Sequence, residues 1–227
     1  MAERFSERLY RVGQPVWKAQ HDHPFVRGIG DGTLDVEKFK FWVRQDYLFL
    51  IDYARLLALA VARAPDLPTM RRFADLVQAT LNVEMDLHRS YAAEFGISLQ
   101  ELEAEEKAPT THGYTDFLLR VAAMGDFAEL LAALLPCMWG FSDIGQQLAR
   151  GPRPGDERYA RWIDMYSSAE FAELASWCRG LVDEVAAALP EEALRRMEDA
   201  FLTSSRYEHL FWGMAWRQES WPGQVGP

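Results

Sequence analysis

Three side chains able to move protons or attack carbon stand where a helix would put apolar ones. Phe39, Val43, Asp46, Leu50, Tyr53 and Leu57 follow alternating steps of four and three, so they share one helix face. Asp46 is the one charge on that face, and a buried carboxylate needs a partner. It either works on a ligand or caps a buried donor such as a tyrosine hydroxyl. The same spacing links Leu130, Leu134, Cys137, Phe141, Ile144 and Leu148. Cys137 therefore faces inward one residue after Pro136, where a proline removes a backbone bond and favours a kink. It is either a nucleophile beside a cavity or a small hydrophobe filling space. Cys178 shows only the second character. On a third stretch, Leu194, Met197, Phe201, Ser205, Glu208, Phe211 and Ala215 share a face that Glu208 interrupts. A carboxyl among apolar neighbours holds its proton to higher pH, which suits an acid working near neutrality, or it is a satisfied structural group. An acid, a carboxylate and a thiol on three inward stripes point to a cavity inside a helical bundle.

Helical periodicity runs from end to end, and strand alternation is nearly absent. The pattern predicts helices near 4–20, 35–63, 67–95, 110–124, 126–150, 156–165, 168–188 and 190–217. Asp126 with Glu129, Ser167 with Glu170, and Ser98 with Glu101 have the spacing of reciprocal N-terminal caps, the last pair opening a short helix. Gly96 and Gly125 read as stops, and the GPRPG of Gly151–Gly155 reads as a loop. No polar linker or internal repeat divides the chain. The expectation is an all-α, single-domain helical bundle, with a core over about 4–217 and a flexible tail over 218–227.

The 227 residues suffice for a large core, with 49% hydrophobic and 26% charged residues, and the net charge is −10. An acidic chain without a basic run is a poor match for nucleic acid. The longest uncharged apolar stretch, Leu130–Ser142, is too short to cross a bilayer, and the charged opening MAERFSERLYRVGQ is unlike a secretory leader. Two cysteines fit free thiols in a reducing compartment, so a cytoplasmic location is expected. The 13% of aromatic residues suit a thick core or a site that stacks flat ligands.

Six segments in order give the chain a resemblance over roughly residues 5–217: HPFVRGIGDGTL from His23, QDYLFL from Gln45, EMDLH from Glu84, APTTHGYTDFL from Ala108, ALLPCMWG from Ala133 and SSRYEHLFWGMAWR from Ser204. They resemble the TenA/thiaminase II family, whose fold is that of haem oxygenase without haem. The LPC segment is similar to the branch that keeps a catalytic cysteine. The resemblance implies an aminopyrimidine hydrolase of thiamin salvage, with Cys137 as nucleophile, Glu208 as proton donor and Asp46 holding the substrate's amino group and ring nitrogen. It places substrate-contacting aromatics at Tyr114, Tyr166 and Phe211, with Phe49, Tyr53 and Phe141 beside them. It implies no cofactor, no metal, and a homotetramer with a small-molecule substrate.

Two positions depart from the family pattern. Where family members carry a tyrosine three residues after the aspartate and another four after the cysteine, this chain has Phe49 and Phe141. Two other readings stand beside the hydrolase. A di-metal oxidase of the same fold would use Glu84 and His88, four apart on one helix. The 168–188 segment lacks histidine to complete such a site, so the two read instead as a structural pair or as the rim of a pocket. A non-enzymatic protein-binding regulator would have no use for the three inward chemical groups. His21, His23, His112 and His209 lack ligand spacing, and most of them read as loop or cap residues.

Overall fold

The computed structural model describes residues 3–223, and no strand occurs among them. Helices α1 (Phe5–His21), α2 (Pro24–Asp31), α3 (Val36–Arg63) and α4 (Leu67–Ala79) are followed by a π turn at Thr80–Glu84 that runs straight into α5 (Met85–Glu94). Then come α6 (Leu99–Ala104), α7 (Pro109–Met124), α8 (Phe127–Leu148), α9 (Glu157–Tyr166), α10 (Ala169–Ala186) and α11 (Glu191–Arg217).

Helix α8 is the axis. It packs against α3, α7, α9, α10 and α11, and Leu130 to Leu135 are essentially inaccessible. By length and composition α8 could cross a membrane, but its apolar residues are buried in the bundle, as in a core helix. Helical geometry continues through Pro136 without a break. All three inward stripes point where their spacing requires: Asp46 and Glu208 are each 3% exposed, and Cys137 is partly buried.

Local chemistry explains the element ends. Ser98 and Glu101 form the full reciprocal cap, and Asp126 accepts the amide of Glu129. The cap of α10 is Ser168, which accepts from the Phe171 amide, so the expected Ser167–Glu170 pairing is shifted by one residue. Helix α2 had no counterpart among the expected helices. It is opened by His23, whose ring accepts the Phe25 amide, and by Pro24 in its first turn; Gly32 closes it at φ +77°, a left-handed conformation that favours glycine. The tail also departs from expectation. Gln218 donates to the Glu37 carbonyl, Glu219 accepts the Thr110 amide at 2.9 Å, and the Trp221 indole donates to the Lys107 carbonyl. These bonds tie residues 218–221 to the body; the end of the expected flexible tail, residues 224–227, lies outside the described residues.

Candidate active site

A cavity of about 390 Å³ opens between α3, the α4–π segment, α8, α9 and α10. Its inner part carries Asp46, Phe49 and Tyr53 from α3, Glu84 from the π turn, Cys137 and Phe141 from α8, and Tyr166 from the end of α9. Its more exposed side is apolar, with Val83, Met165, Phe171 and Leu174, and the exposed Glu170 stands on the same lining. Volume and lining suit a flat aromatic ligand held by a few polar groups. Helices α8 and α9 meet closely enough to fix Tyr166: a Cβ on Gly145 would lie 2.5 Å from the Tyr166 carbonyl carbon. Only glycine permits that approach.

The polar groups form two chains. Asp46 Oδ2 lies 2.7 Å from His88 Nε2, and the other ring nitrogen of His88 bonds the Glu84 carbonyl oxygen at 2.9 Å. His88 is fully buried; burial works against its charge, yet the Asp46 carboxylate prevails and its pKa is raised. The Glu84 side chain accepts a 2.9 Å bond from the Tyr166 hydroxyl. Burial, reinforced by the charge of Asp46, lifts the Glu84 carboxyl to about 7. In the second chain, Tyr114 donates to Glu208 at 2.6 Å and shares a 2.9 Å bond with Ser204. Burial raises Glu208 to about 8, against the lowering effect of the Tyr114 bond.

Cys137 sits between these chains. Burial pushes its thiol well above the usual value, and the charges of Glu208, Glu84 and Asp46 act in the same direction. The Tyr53 hydroxyl acts in the opposite direction, lowering the thiol's pKa, and donates its proton to the Leu134 carbonyl at 3.3 Å. Such a thiol attacks only as its proton leaves, and the nearby carboxyls are the groups able to take it. Cys178 is buried with its sulfur 3.2 Å from that of Met138, in keeping with a packing role.

Six of the site residues implied by the resemblance therefore meet in one cavity, Asp46, Phe49, Tyr53, Cys137, Phe141 and Tyr166, and Glu84, read from sequence as a pocket rim, joins them. Tyr114, Phe211 and Glu208 do not line it. They form the layer behind, with Tyr114 and Phe211 packed on Phe49 at centroid distances of 5.1 and 5.7 Å. Glu84 and His88 turn out to serve different partners, Tyr166 and Asp46, instead of pairing through their side chains. Among the described residues no cluster of three or more His, Cys, Asp or Glu is arranged to hold a metal ion. Sequence reading missed the mostly apolar remainder of the wall, although Leu76, Ala79, Thr80 and Val83 have the spacing of one helix face.

The sequence model of the TENA/THI-4/PQQC family matches residues 12–218. The chain belongs to this family. An aminopyrimidine aminohydrolase of Halalkalibacterium halodurans is 50% identical, over 96% of this chain and 97% of that protein. Another, from Bacillus subtilis, is 39% identical over 96% and 92%. Among solved structures, a TenA homologue protein from P. horikoshii OT3 superposes with a TM-score of 0.87 at 31% identity, covering 95% of this chain and 99% of its own. A domain of unknown function with a heme oxygenase-like fold from Shewanella denitrificans, 15% identical with a TM-score of 0.71, bears on the fold alone. The haem-oxygenase-like bundle expected from sequence is thus the fold of this TENA/THI-4/PQQC family member.

Proposed function

We propose that this chain hydrolyses an aminopyrimidine through a covalent adduct on Cys137, yielding the hydroxymethyl pyrimidine of thiamin salvage. The observation that carries the reading is the placement of the Cys137 thiol in one cavity with the Asp46 carboxylate and the rings of Phe49, Phe141 and Tyr166. Two relatives covering nearly the whole chain bear the name aminopyrimidine aminohydrolase. In this scheme Asp46, oriented by His88, accepts hydrogen bonds from the substrate's amino group. The aromatic walls sandwich the ring. Glu208 keeps its proton at neutral pH; from the layer behind the lining it serves the ring nitrogen only where the bound ring reaches past Phe49, and there it supplies the proton that this nitrogen gains and recovers one from the thiol as sulfur bonds a ring carbon. The bond from the adjacent methylene to its amine or thiazolium nitrogen breaks, the electron pair leaving with nitrogen. Water then adds to the methylene, and sulfur departs as the ring proton returns by way of Glu208.

Cys137→Ser is expected to reduce turnover to a small residue of wild type without loss of fold, because an alcohol is a far weaker nucleophile at neutral pH. Cys178→Ser should keep wild-type turnover. Product analysis with the aminomethyl pyrimidine and with thiamin checks both, and an active Cys137→Ser enzyme would end the covalent scheme. We also propose a cytoplasmic homotetramer, the closed assembly that the family resemblance implies. Light scattering at micromolar concentration should return four chains per particle; a monomer mass would refute it.

A further inference from the structure

We propose that Glu84 keeps the departing nitrogen protonated when the leaving group is an amine, a role that rests on the aminopyrimidine reading above. The cavity lining holds three carboxyls, and they occupy different places. Asp46 is engaged by His88, and Glu170 is exposed. A further buried carboxyl near the thiol, Glu208, is held behind the wall by Tyr114. Glu84 alone combines a place in the inner lining with no commitment to the substrate ring. Its Oε1 is fixed by Tyr166, and among the described residues no bond is made to Oε2.

Substrate chemistry puts the leaving group next to this carboxyl. In an aminopyrimidine of this kind the reactive methylene is carried by the ring carbon beside the one bearing the amino group. If Asp46 takes the amino group, the methylene substituent lies at Asp46's side of the cavity. Glu84 is the neighbour there: the charge of Asp46 raises the Glu84 pKa, His88 Nε2 lies 2.7 Å from Asp46 Oδ2, and the other ring nitrogen of His88 bonds the Glu84 carbonyl. The π turn sets this placement. It closes with the Met85 amide bonded to the Thr80 carbonyl, five residues back, and carries Thr80, Val83 and Glu84 onto the cavity wall. Single π turns within α-helices recur at functional sites for this kind of local re-aiming.

The bonds balance as follows. After sulfur has added to the protonated ring, the methylene–nitrogen bond breaks and nitrogen keeps the electron pair. An amine leaves as neutral ammonia only if it takes a proton, which Glu84 gives. The ring adduct is left with one positive charge facing the new carboxylate. Water forms the carbon–oxygen bond and returns a proton to Glu84. A thiazolium needs no such proton, since its cationic nitrogen becomes neutral on receiving the electron pair. Burial that lifts the carboxyl to about 7 keeps it able to give and take a proton near neutrality.

The two leaving groups therefore separate this role from a structural one. With enzyme in excess, single-turnover release of ammonia from the aminomethyl pyrimidine and of thiazole from thiamin is compared for wild type and Glu84→Gln. The expected result is a fall in ammonia release about 10²-fold greater than any fall in thiazole release, the usual worth of a positioned acid. An unchanged ratio, whether both rates fall or neither does, overturns the proposal. If Glu84→Gln does not fold, Tyr166→Phe serves instead. The groups facing Glu84 are Asp46 and Tyr53 on α3, His88 on α5, Cys137 on α8, Tyr166 on α9 and Glu170 on α10. Of these, the Tyr166 hydroxyl lowers the Glu84 pKa through its hydrogen bond, so its loss should move the alkaline limb of ammonia release to higher pH relative to thiazole release. A limb that stays in register overturns the proposal as well. Failure of the parent reading looks different: Cys137→Ser would release both leaving groups as fast as wild type, or wild type would release neither, and the Glu84 role would fall with it.

Discussion

A phenylalanine at position 49 adds no hydroxyl to the wall beside Cys137, where Tyr53 and Tyr166 carry the phenols. Its ring packs against Tyr53 at 5.5 Å, Tyr114 at 5.1 Å and Phe211 at 5.7 Å, so a phenol built there would enter a largely apolar setting. Phe141 is similarly enclosed, 4.9 Å from Tyr166 and 5.2 Å from Trp212. A hydroxyl that finds an ionised partner only in the transition state is worth about 1.5–3 kcal/mol, roughly one to two decades in rate; one left without a partner costs about 1–3 kcal/mol. Either result changes the two leaving groups unequally, because they fill the cavity differently. For Phe49→Tyr and Phe141→Tyr, the ratio of kcat/KM on the aminomethyl pyrimidine to that on thiamin is expected to move by about tenfold. A constant ratio in both variants would show that these rings do not set specificity. The inward direction of Asp46, Cys137 and Glu208 was legible because a helix stripe converts spacing directly into orientation. Depth was not. The same periodicity applies to a group on the cavity wall, like Cys137, and to one in the layer behind, like Glu208, since only the packing of other helices decides which layer a stripe meets.

At the scale of the element, the π turn at Thr80–Glu84 is what sequence could not supply. Residues 67–95 read as one continuous helix, and no residue type in TLNVE announces an extra residue in the turn. Caps were easier to read, since a short polar side chain and a free amide are local requirements. They still leave a choice where two candidates adjoin. Ser167 and Ser168 are both serines, but only Ser168 accepts the Phe171 amide at 3.1 Å, while Ser167 is the residue that closes α9. Ser168→Ala should therefore lower stability by about 1 kcal/mol, or roughly 2–4 °C in Tm for a chain of this size, whereas Ser167→Ala should cost much less. Thermal melts of the two variants test this, and equal losses would mean that the α10 cap is not Ser168. Helix α2 was missed for lack of length: eight residues give too few repeats for periodicity, although its proline and left-handed glycine mark both ends.

At the scale of the whole molecule, gathering ionisable groups around one buried cavity ties stability to pH. Glu208, lifted to about 8, and Glu84, lifted to about 7, bind protons more tightly folded than unfolded, where each returns to about 4.5. Their contribution is complete below the unfolded value and is lost as pH rises through the folded one. His88 acts with the same sign, because its folded value lies above 6.5. His23, lowered to about 4, and His209, also lowered, act the other way. A histidine with a depressed folded value favours unfolding below about pH 6.5 and ceases to do so above it. Between about pH 6.5 and about pH 8.5 the opposing histidines are silent and the cavity groups alone are titrating, so Tm should fall steadily across this range. Each proton of difference contributes a slope of about 1.4 kcal/mol per pH unit. Glu208→Gln removes the carboxyl with the higher folded pKa and should flatten the decline most clearly above about pH 7. Calorimetry of wild type and variant over this range decides the matter. A Tm that is level or rising in wild type, or a decline that the variant leaves intact, would mean that these carboxyls do not hold their protons inside the bundle.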